Sequence, residues 1–195
     1  MKHLLRFVLI LLAMMLVIVS CTAEDDYVAT TSFAYVTGTL NQRLATRTGP
    51  GTQYDEPDSF FSAGTRVTLL SKAYDQRNGI WWVQVEFSEN GSRYRAYTGA
   101  KRFSDLNLNQ LPEERKLGYC FIPFDSIAGY YGPSYSYQRI ARNVPGHDDV
   151  EIIAISKDSG TYFYQVEFYD SGIGCWRRAW VNYNDVSRDY FYDDY

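Results

Sequence analysis

The chain has little of what metal centres and enzyme active sites are built from. Its 195 residues include two histidines and three cysteines, and His3 and Cys21 fall in an N-terminal segment discussed below. The other histidine, His147, sits in a Pro-Gly-His-Asp-Asp turn, which is more typical of a solvated residue than of a general base. Zinc needs three or four ligands, which one histidine and two distant cysteines supply poorly. We therefore expect no catalytic residue, no metal site and no cofactor.

Clusters of positive charge are missing too. The formal net charge is −4, and Lys2 and Arg6 belong to the N-terminal segment. A chain without a Lys/Arg cluster lacks the electrostatic footprint of a nucleic-acid binder, so no nucleic-acid partner is expected. There is also no glycine-rich phosphate loop with a lysine. The sequence does not exclude a pair of carboxylates that cleaves glycosidic bonds. However, the two small domains inferred below leave little room for a deep cleft.

No apolar run is long enough to span a membrane. The longest, residues 7–19, has about thirteen residues and follows a positively charged start, whereas a spanning helix needs ~20. This pattern predicts a signal peptide over residues 1–20, in helical form. Ile18-Val19-Ser20-Cys21 resembles a bacterial lipobox, which implies lipidation of Cys21 and a membrane anchor on the extracytoplasmic face. The alternative is an ordinary secretory signal with a chance cysteine. Residues 21–35 would form a polar tether.

What the chain does have is a repeat. Residues 44–54 (Leu-Ala-Thr-Arg-Thr-Gly-Pro-Gly-Thr-Gln-Tyr) recur at residues 127–137, with the Gly-Pro and the closing tyrosine kept. Pro50 maps onto Pro133, an offset of 83 residues (133 − 50), and the same offset maps Arg95 onto Arg178. Ordered matches of this kind predict a duplicated unit. We assign a first domain to 36–104, a linker to 105–118, a second domain to 119–187 and an acidic aromatic tail to 188–195.

Both units consist of short segments whose composition favours β-strands. Residues 66–74 and 81–87 alternate or are rich in β-branched and aromatic residues, which favours strands. Alternation puts Val83, Val85 and Phe87 on a core face, with Trp82, Gln84 and Glu86 opposite. In the second copy Tyr164, Val166 and Phe168 take the core face.

Two turn signals fix the register of a hairpin in each unit. Asn90-Gly91 is a strong two-residue turn signal, and it sets Glu86 opposite Arg95. Gly172-Ile173, with glycine first as in a type II′ turn, sets Glu167 opposite Arg178. Val85 then faces Ala96 and Val166 faces Ala179. A cross-strand ion pair of this kind contributes about 0.2–1 kcal/mol, so we expect it to serve register.

Helical signals are weak. Residues 107–116 are the one plausible helical turn, with Pro112 near its start, and they would link the two units. Short strands at close spacing predict an all-β fold of small barrels. The tail would be frayed or would lie against the second unit.

The motifs of both units resemble the bacterial SH3 domain. The first supplies Leu44, Arg47, Gly49, Pro50, Tyr54, Gly64, Val67, Leu69, Trp82 and Val85. The second supplies Ile127, Gly132, Pro133, Tyr137, Gly146, Val150, Ile152, Val166, Trp180 and Val181. Departures are Tyr97-Thr98 for the closing Trp-Val, Tyr130 for an arginine and Phe163 for a tryptophan. The resemblance implies two SH3-like β-barrels in tandem, non-catalytic, used outside the cell, and in several relatives binding peptidoglycan or its peptides.

Aromatic side chains, 17% of the chain, are the best candidates for ligand binding. The candidates in the second unit are Tyr130, Tyr131, Tyr135, Tyr137 and Trp180, and those in the first are Tyr54, Trp82 and Tyr97. For Tyr54, Tyr137, Trp82 and Trp180, packing at the barrel edge is the favoured alternative. We expect a monomer that binds cell-wall peptidoglycan or peptide. A module for another envelope or host protein is the second hypothesis, and an enzyme is the third.

Two cysteines, Cys120 and Cys175, remain in the second unit. An exported protein meets conditions in which they could pair as a disulfide. The alternative is two half-buried thiols, which the lack of cysteine at the matching places in the first unit favours.

Overall fold

The computed structural model describes residues 35–37, 46–57, 66–103 and 106–191. This part of the chain is all-β as predicted, without an α-helix and with short 3-10 turns at Ala100–Arg102, Leu108–Gln110 and Tyr183–Asp185. No helix in these ranges is long and apolar enough to cross a membrane. The predicted signal peptide, the lipidation site Cys21 and the last four residues lie outside the described residues.

The first unit is a four-stranded antiparallel sheet in the order β1-β2-β3-β4. Its strands are β1 (Tyr35–Thr37), β2 (Arg66–Asp75), β3 (Ile80–Glu89) and β4 (Ser92–Gly99). The two segments predicted as strands therefore form β2 and β3, each slightly longer than expected.

The second unit is a five-stranded antiparallel sheet in the order β10-β9-β8-β5-β11. Its strands are β5 (Gly118–Phe121), β8 (Asp149–Asp158), β9 (Thr161–Asp170), β10 (Cys175–Asn182) and β11 (Ser187–Phe191). A two-stranded ribbon of β6 (Ser126–Ile127) and β7 (Val144–Pro145) lies between β5 and β8 in sequence. Because β11 pairs with β5, the first part of the tail lies along the second sheet.

The sequence repeat is also a repeat of strand pairing. The β2–β3 ladder shifts register between Leu69 and Ser71, and the β8–β9 ladder shifts between Ile152 and Ala154, which is the same place in each copy. A bulge re-aims the strand that carries it, so its recurrence supports duplication more strongly than matched letters do.

Both predicted hairpin registers are confirmed, and one turn type is wrong. Asn90 and Gly91 have φ of 51° and 82°, as a two-residue type I′ turn requires, and Glu86 faces Arg95. In the second unit Glu167 faces Arg178 as expected. However, the connection there is a four-residue turn, residues 171–174, closed by Gly174 N–H donating to the Asp170 carbonyl at 2.8 Å. The positive φ belongs to Gly174 and not to Gly172, so the type II′ prediction fails.

Each sheet has its own apolar core on the predicted face. The first core is built from Val67, Leu69, Val83, Val85, Phe87, Ala96, Ala100, Phe103 and Leu111. The second contains Tyr164, Val166 and Phe168 together with Cys120, Ile122, Ile127, Tyr131, Ile140, Val144, Val150, Ile152, Ala179, Val181 and Val186. Tyr94 of the first unit packs against both cores, so the two are joined at that ring.

Closed barrels are not seen. In the described ranges the first and last strands of each sheet order do not pair with each other. The linker also differs from expectation, because Pro112 follows the 3-10 turn instead of opening it. Its carbonyl accepts from Lys72 N–H at 2.9 Å, so this part of the linker runs beside β2.

Candidate functional site

The Gly-Pro loop of each unit reaches across to the other unit. Tyr54 Oη donates to Glu167 Oε2 at 2.5 Å, and Tyr137 Oη donates to Glu86 Oε2 at 2.5 Å. Each glutamate is also bonded to its cross-strand arginine, at 2.7 Å from Arg178 Nε and 2.8 Å from Arg95 Nε. We call these two matched contacts the tyrosine clasp. The predicted ion pairs thus hold register and also form the sockets into which the loops dock.

Glycine in the loop is required by the tyrosine. A Cβ on Gly49 would lie 2.2 Å from the Tyr54 ring, and one on Gly132 would lie 2.1 Å from the Tyr137 ring. Both rings are buried and have no room to withdraw. The spacing of the Gly-Pro-x-x-x-Tyr motif therefore has a physical cause, since the ring folds back over its own glycine before its hydroxyl reaches the partner unit.

The sockets hold their glutamates in the charged form. Burial raises the pKa of Glu86, but Arg95 and the hydrogen bonds from Tyr137 and Arg93 outweigh it, so the pKa lies below its usual value. Glu167 follows the same pattern with Arg178 and Tyr54. A charged acceptor strengthens the tyrosine hydrogen bond that it receives.

Tyr97 lies where the two units meet. Its hydroxyl accepts from Gln84 at 2.9 Å, from Gln165 at 3.3 Å and from Arg178 at 2.9 Å, and it donates to Glu114 at 2.7 Å. Gln84 and Gln165 are equivalent positions of the two repeats. A tryptophan here could not accept these bonds, because the indole N–H is only a donor. The tyrosine at position 97 therefore forms the polar centre of the junction.

The loops also cover one edge of each sheet. Tyr97 and Arg47 exchange backbone hydrogen bonds at 2.8 Å along β4, and Gln138 N–H donates to the Arg93 carbonyl of the same strand at 3.0 Å. On β10, Asp55 N–H donates to the Trp176 carbonyl at 2.9 Å. Edge strands β4 and β10 are thus partly occupied by segments of the chain itself, which leaves them poorly suited to pairing with an added strand.

Most of the aromatic residues predicted to bind a ligand are buried. Those with little exposed surface are Tyr54, Trp82, Tyr97, Tyr131, Tyr137 and Trp180. Tyr130 is half-buried, and Tyr135 is 60% exposed. Tyr54, Trp82, Tyr137 and Trp180 are therefore buried, as expected if they pack inside the protein. Tyr97 and Tyr131 are buried too, although the sequence did not favour packing for them.

Tyr135 is exposed but supported from behind. Its ring lies 5.4 Å from Tyr130 and 5.2 Å from Phe163, both in edge-to-face geometry. Asn182 Nδ2 donates to its hydroxyl. Phe163 occupies a position where the family motif has tryptophan, and here it serves as the floor under this tyrosine.

A separate group of exposed aromatics was missed by sequence reasoning. Tyr119, Tyr169 and Trp176 are 37%, 50% and 37% exposed, and they line one groove of about 440 Å³ on the outer face of the second sheet. The rings of Tyr169 and Trp176 lie 5.6 Å apart in edge-to-face geometry. The remaining lining residues are Gln53, Tyr54, Arg77, Lys116, Asp148, Asp149, Val150, Glu151, Glu167 and Phe168. We call this site the aromatic groove.

The groove is built by both units. Its floor comes from β5, β8, β9 and β10, while Gln53, Tyr54 and Arg77 form a wall from the first unit. The signal for it was present in the hairpin register, since the pairing that sets Glu167 opposite Arg178 also sets Tyr169 opposite Trp176. Both residues fall on the face opposite the core, where an aromatic pair has no packing role within its own sheet.

The matching place in the first unit is different. There the cross-strand pair equivalent to Tyr169 and Trp176 is Ser88 and Arg93. The Arg93 guanidinium lies 4.3 Å from the centre of the Tyr137 ring and also bonds Glu86. At this pair of equivalent positions, the second unit has two exposed aromatic residues and the first unit has none.

The residues considered for catalysis are not assembled into a site. His147 is exposed, with φ of 58°, and its Nε2 lies 2.8 Å from Asp125. No disulfide joins Cys120, which is buried, to Cys175, which is half-buried. Burial raises the pKa of the Cys175 thiol, and Asp55 acts in the same direction, so the nucleophilic thiolate is disfavoured. Within the described ranges no group of three or more His, Cys, Asp or Glu side chains could hold a metal ion.

Comparison of the chain with family models, with curated proteins and with solved structures gives no match.

Proposed function

We propose that this chain is a non-catalytic lipoprotein of the cell envelope that binds cell-wall peptidoglycan or its peptides. Cys21 carries the lipid anchor, residues 21–35 are the tether, and two units related to the bacterial SH3 domain face away from the membrane. The lipobox-like tetrad and the doubled Gly-Pro-x-x-x-Tyr motif support this assignment. The alternative stays a module that binds another envelope or host protein.

The aromatic groove is the observation that carries the proposal. Its three exposed aromatic side chains present ring faces on a rigid sheet, and polar groups from both units surround them. Rings of this kind suit stacking on sugars and contact with extended peptides, and their few rotatable bonds limit the entropy lost on binding. An open groove also suits a polymer, which has to enter from the side.

Two other modes of binding have less support. The partly occupied edges of β4 and β10 disfavour recognition by strand addition at those edges. Tyr135, the most exposed of the aromatics proposed from the sequence, packs with Tyr130 on Phe163, near the start of β9, whereas Tyr169 lies near the end of that strand. Tyr135 serves as the second candidate contact.

Co-sedimentation with purified cell-wall sacculi tests the proposal. The full chain in detergent should pellet with sacculi at both low and high salt. A Tyr169→Ala/Trp176→Ala variant should bind at least about tenfold more weakly, since exposed aromatic anchors dominate such contacts. The backbone bonds of Trp176 to residues 53 and 55 do not involve its side chain, so this variant should stay folded.

Tyr74→Ala is the matched control. Tyr74 is 47% exposed and contacts Trp81 at 5.1 Å, so it resembles Tyr169 in exposure and setting but lies on the first unit. Its loss should leave pelleting unchanged. Tyr135→Ala tests the second contact in the same assay. A wild-type chain that stays in the supernatant at micromolar concentration would rule out wall binding, and crosslinking for a protein partner would follow.

A further inference from the structure

We propose that the aromatic groove selects wall peptides by a free ammonium group, held between the Tyr169–Trp176 pair and the carboxylates of Asp148 and Asp149. This inference rests on the proposed function, and it specifies which chemical group of the wall the groove binds.

The carboxylates and the rings lie in one row across the sheet. Glu151 faces Glu167 in the β8–β9 ladder, so the next outward-facing positions place Asp149 beside Tyr169. Tyr169 in turn faces Trp176. All three side chains are exposed, and Asp148 precedes Asp149 at the start of β8. A ligand lying along this row meets two carboxylates and two ring faces in succession.

Two of the carboxylates that line the groove, those of Asp148 and Asp149, have no cationic side chain bonded to them in the described part of the chain. Glu151 is bonded to Lys116, and Glu167 is bonded to Arg178 and Tyr54. Asp148 and Asp149 form no salt bridge with any residue in the part of the chain that the structure describes. Asp148 instead accepts from the Asp149 backbone N–H at 2.9 Å, which orients its carboxylate. The end of the groove beside the rings therefore offers negative charge to a ligand.

An ammonium group satisfies both features at once. Ring faces of tryptophan and tyrosine attract a cation, and the neighbouring carboxylates add charge-assisted hydrogen bonds. Neutral sugar hydroxyls can donate hydrogen bonds to these carboxylates but do not neutralise their charge. Arg77 on the wall formed by the first unit provides a partner for a carboxylate elsewhere on the same peptide. The occupant that fits this pattern is a peptide with a free amine, which uncrosslinked wall peptides carry.

The first unit has the opposite chemistry at the same place. The positions equivalent to Asp149, Tyr169 and Trp176 are Arg66, Ser88 and Arg93. These positions of the first unit hold neither a carboxylate nor an aromatic residue. The chain is therefore expected to have one such site, carried by the second unit and completed by the wall from the first.

Chemically modified sacculi test the inference with the full chain. Acetylation neutralises the free amines of the wall, whereas reductive methylation leaves them cationic. We expect acetylated sacculi to bind at least about tenfold more weakly than native ones, and methylated sacculi to bind nearly as well as native. An Asp148→Asn/Asp149→Asn variant should bind native sacculi about tenfold more weakly and should no longer distinguish acetylated from native material.

Asp158→Asn is the matched control, because Asp158 is an exposed carboxylate at the other end of β8. It should leave both affinities unchanged, which separates the groove from a general effect of charge. Equal binding of native and acetylated sacculi by the wild-type chain would overturn the ammonium inference and leave wall binding intact. Failure to bind any of the three preparations would overturn both.

Discussion

The closing tyrosine of each Gly-Pro loop donates a hydrogen bond to a glutamate of the other unit. Tyr54 and Tyr137 are 7% and 6% exposed, and each donates to a glutamate that a cross-strand arginine also holds. At the scale of single residues, the closing tyrosines of the Gly-Pro-x-x-x-Tyr motif, which were predicted to bind a ligand, thus connect the two units by hydrogen bonds. Of the tyrosines that remain accessible to a ligand, Tyr119 and Tyr169 lie outside that motif and Tyr135 lies within it.

Removing either clasp hydroxyl should cost stability. Hydrogen bonds to charged groups contribute about 1.5–3 kcal/mol, so we expect Tyr54→Phe to lower the unfolding free energy by about that amount. Tyr137→Phe should fall at the low end of the range, because its acceptor Glu86 is the more exposed glutamate. Tyr74→Phe, on an exposed ring, is the control. Urea denaturation measures all three, and a loss for Tyr54→Phe no greater than the control would contradict the clasp.

The clasp should also weaken in acid. The pKa of Glu86 is lower in the folded chain than its ordinary value, because Arg95, Tyr137 and Arg93 outweigh the effect of burial. A lowered folded pKa adds stability that is complete above the unfolded value and is lost as pH falls through the folded one. The unfolding free energies of wild type and Glu86→Gln should therefore differ most above about pH 5, and the difference should shrink progressively as pH falls below the unfolded value of about 4.3 and through the lower folded one. A difference that stays constant down to about pH 3 would assign the effect to other groups.

At the scale of elements, the hairpins are fixed by their turns. Asn90-Gly91 and the four-residue turn at 171–174 differ in length and conformation, yet they deliver the same Glu–Arg pairing. Turn and strands are contiguous in sequence, so local preference and alternation were enough to predict the register. The turn at 171–174 was misread because Gly172 and Gly174 both offer a flexible site, and only the folded backbone shows which one takes positive φ.

Gly91→Ala should destabilise the β3–β4 hairpin through its backbone alone. Gly91 has φ of 82°, and an added Cβ would meet nothing within 4 Å, so steric clash plays no part. An L-residue in the left-handed region costs about 1–2 kcal/mol. Gly99→Ala is a matched control, because its Cβ also meets nothing within 4 Å and its φ is −63°. Thermal unfolding compares the two, and equal effects would show that the turn conformation is not what Gly91 provides.

At the scale of the whole molecule, the two units interlock. Trp82 and Gln84 point away from the first core and are nevertheless 6% and 5% exposed, and Gln165 and Trp180 of the second unit are 4% and 3% exposed. Separating the units would expose these side chains and leave the Glu167–Arg178 pair without Tyr54. We therefore regard the pair of units as the folding and binding entity.

This interlocking predicts a single unfolding transition. In differential scanning calorimetry the ratio of calorimetric to van't Hoff enthalpy should be about 1 for the wild-type chain. A Tyr54→Ala/Tyr137→Ala variant removes both halves of the clasp and should separate the transition into two. Tyr74→Ala should keep it single. Two resolved transitions in the wild type would mean that the units unfold independently.

The sequence by itself determined what depends on neighbours along the chain. Period-two alternation identified the core face of β3 and β9, the turn residues set both hairpin registers, and matches at an offset of 83 residues (133 − 50) predicted a duplicated unit. These features are local or repeat at a fixed offset, so they can be read without knowing how the units pack.

Only the tertiary structure decided which outer faces are buried and which remain open. Tyr54 and Glu167 are 113 residues apart, and no periodicity links them. The same alternation that sends Trp82 and Trp180 away from their cores also sends Tyr169 and Trp176 away. In the assembled chain Trp82 and Trp180 are 6% and 3% exposed, whereas Tyr169 and Trp176 line the aromatic groove and are 50% and 37% exposed. Burial on an outer face depends on which distant segments pack against it, which is a property of the assembled chain.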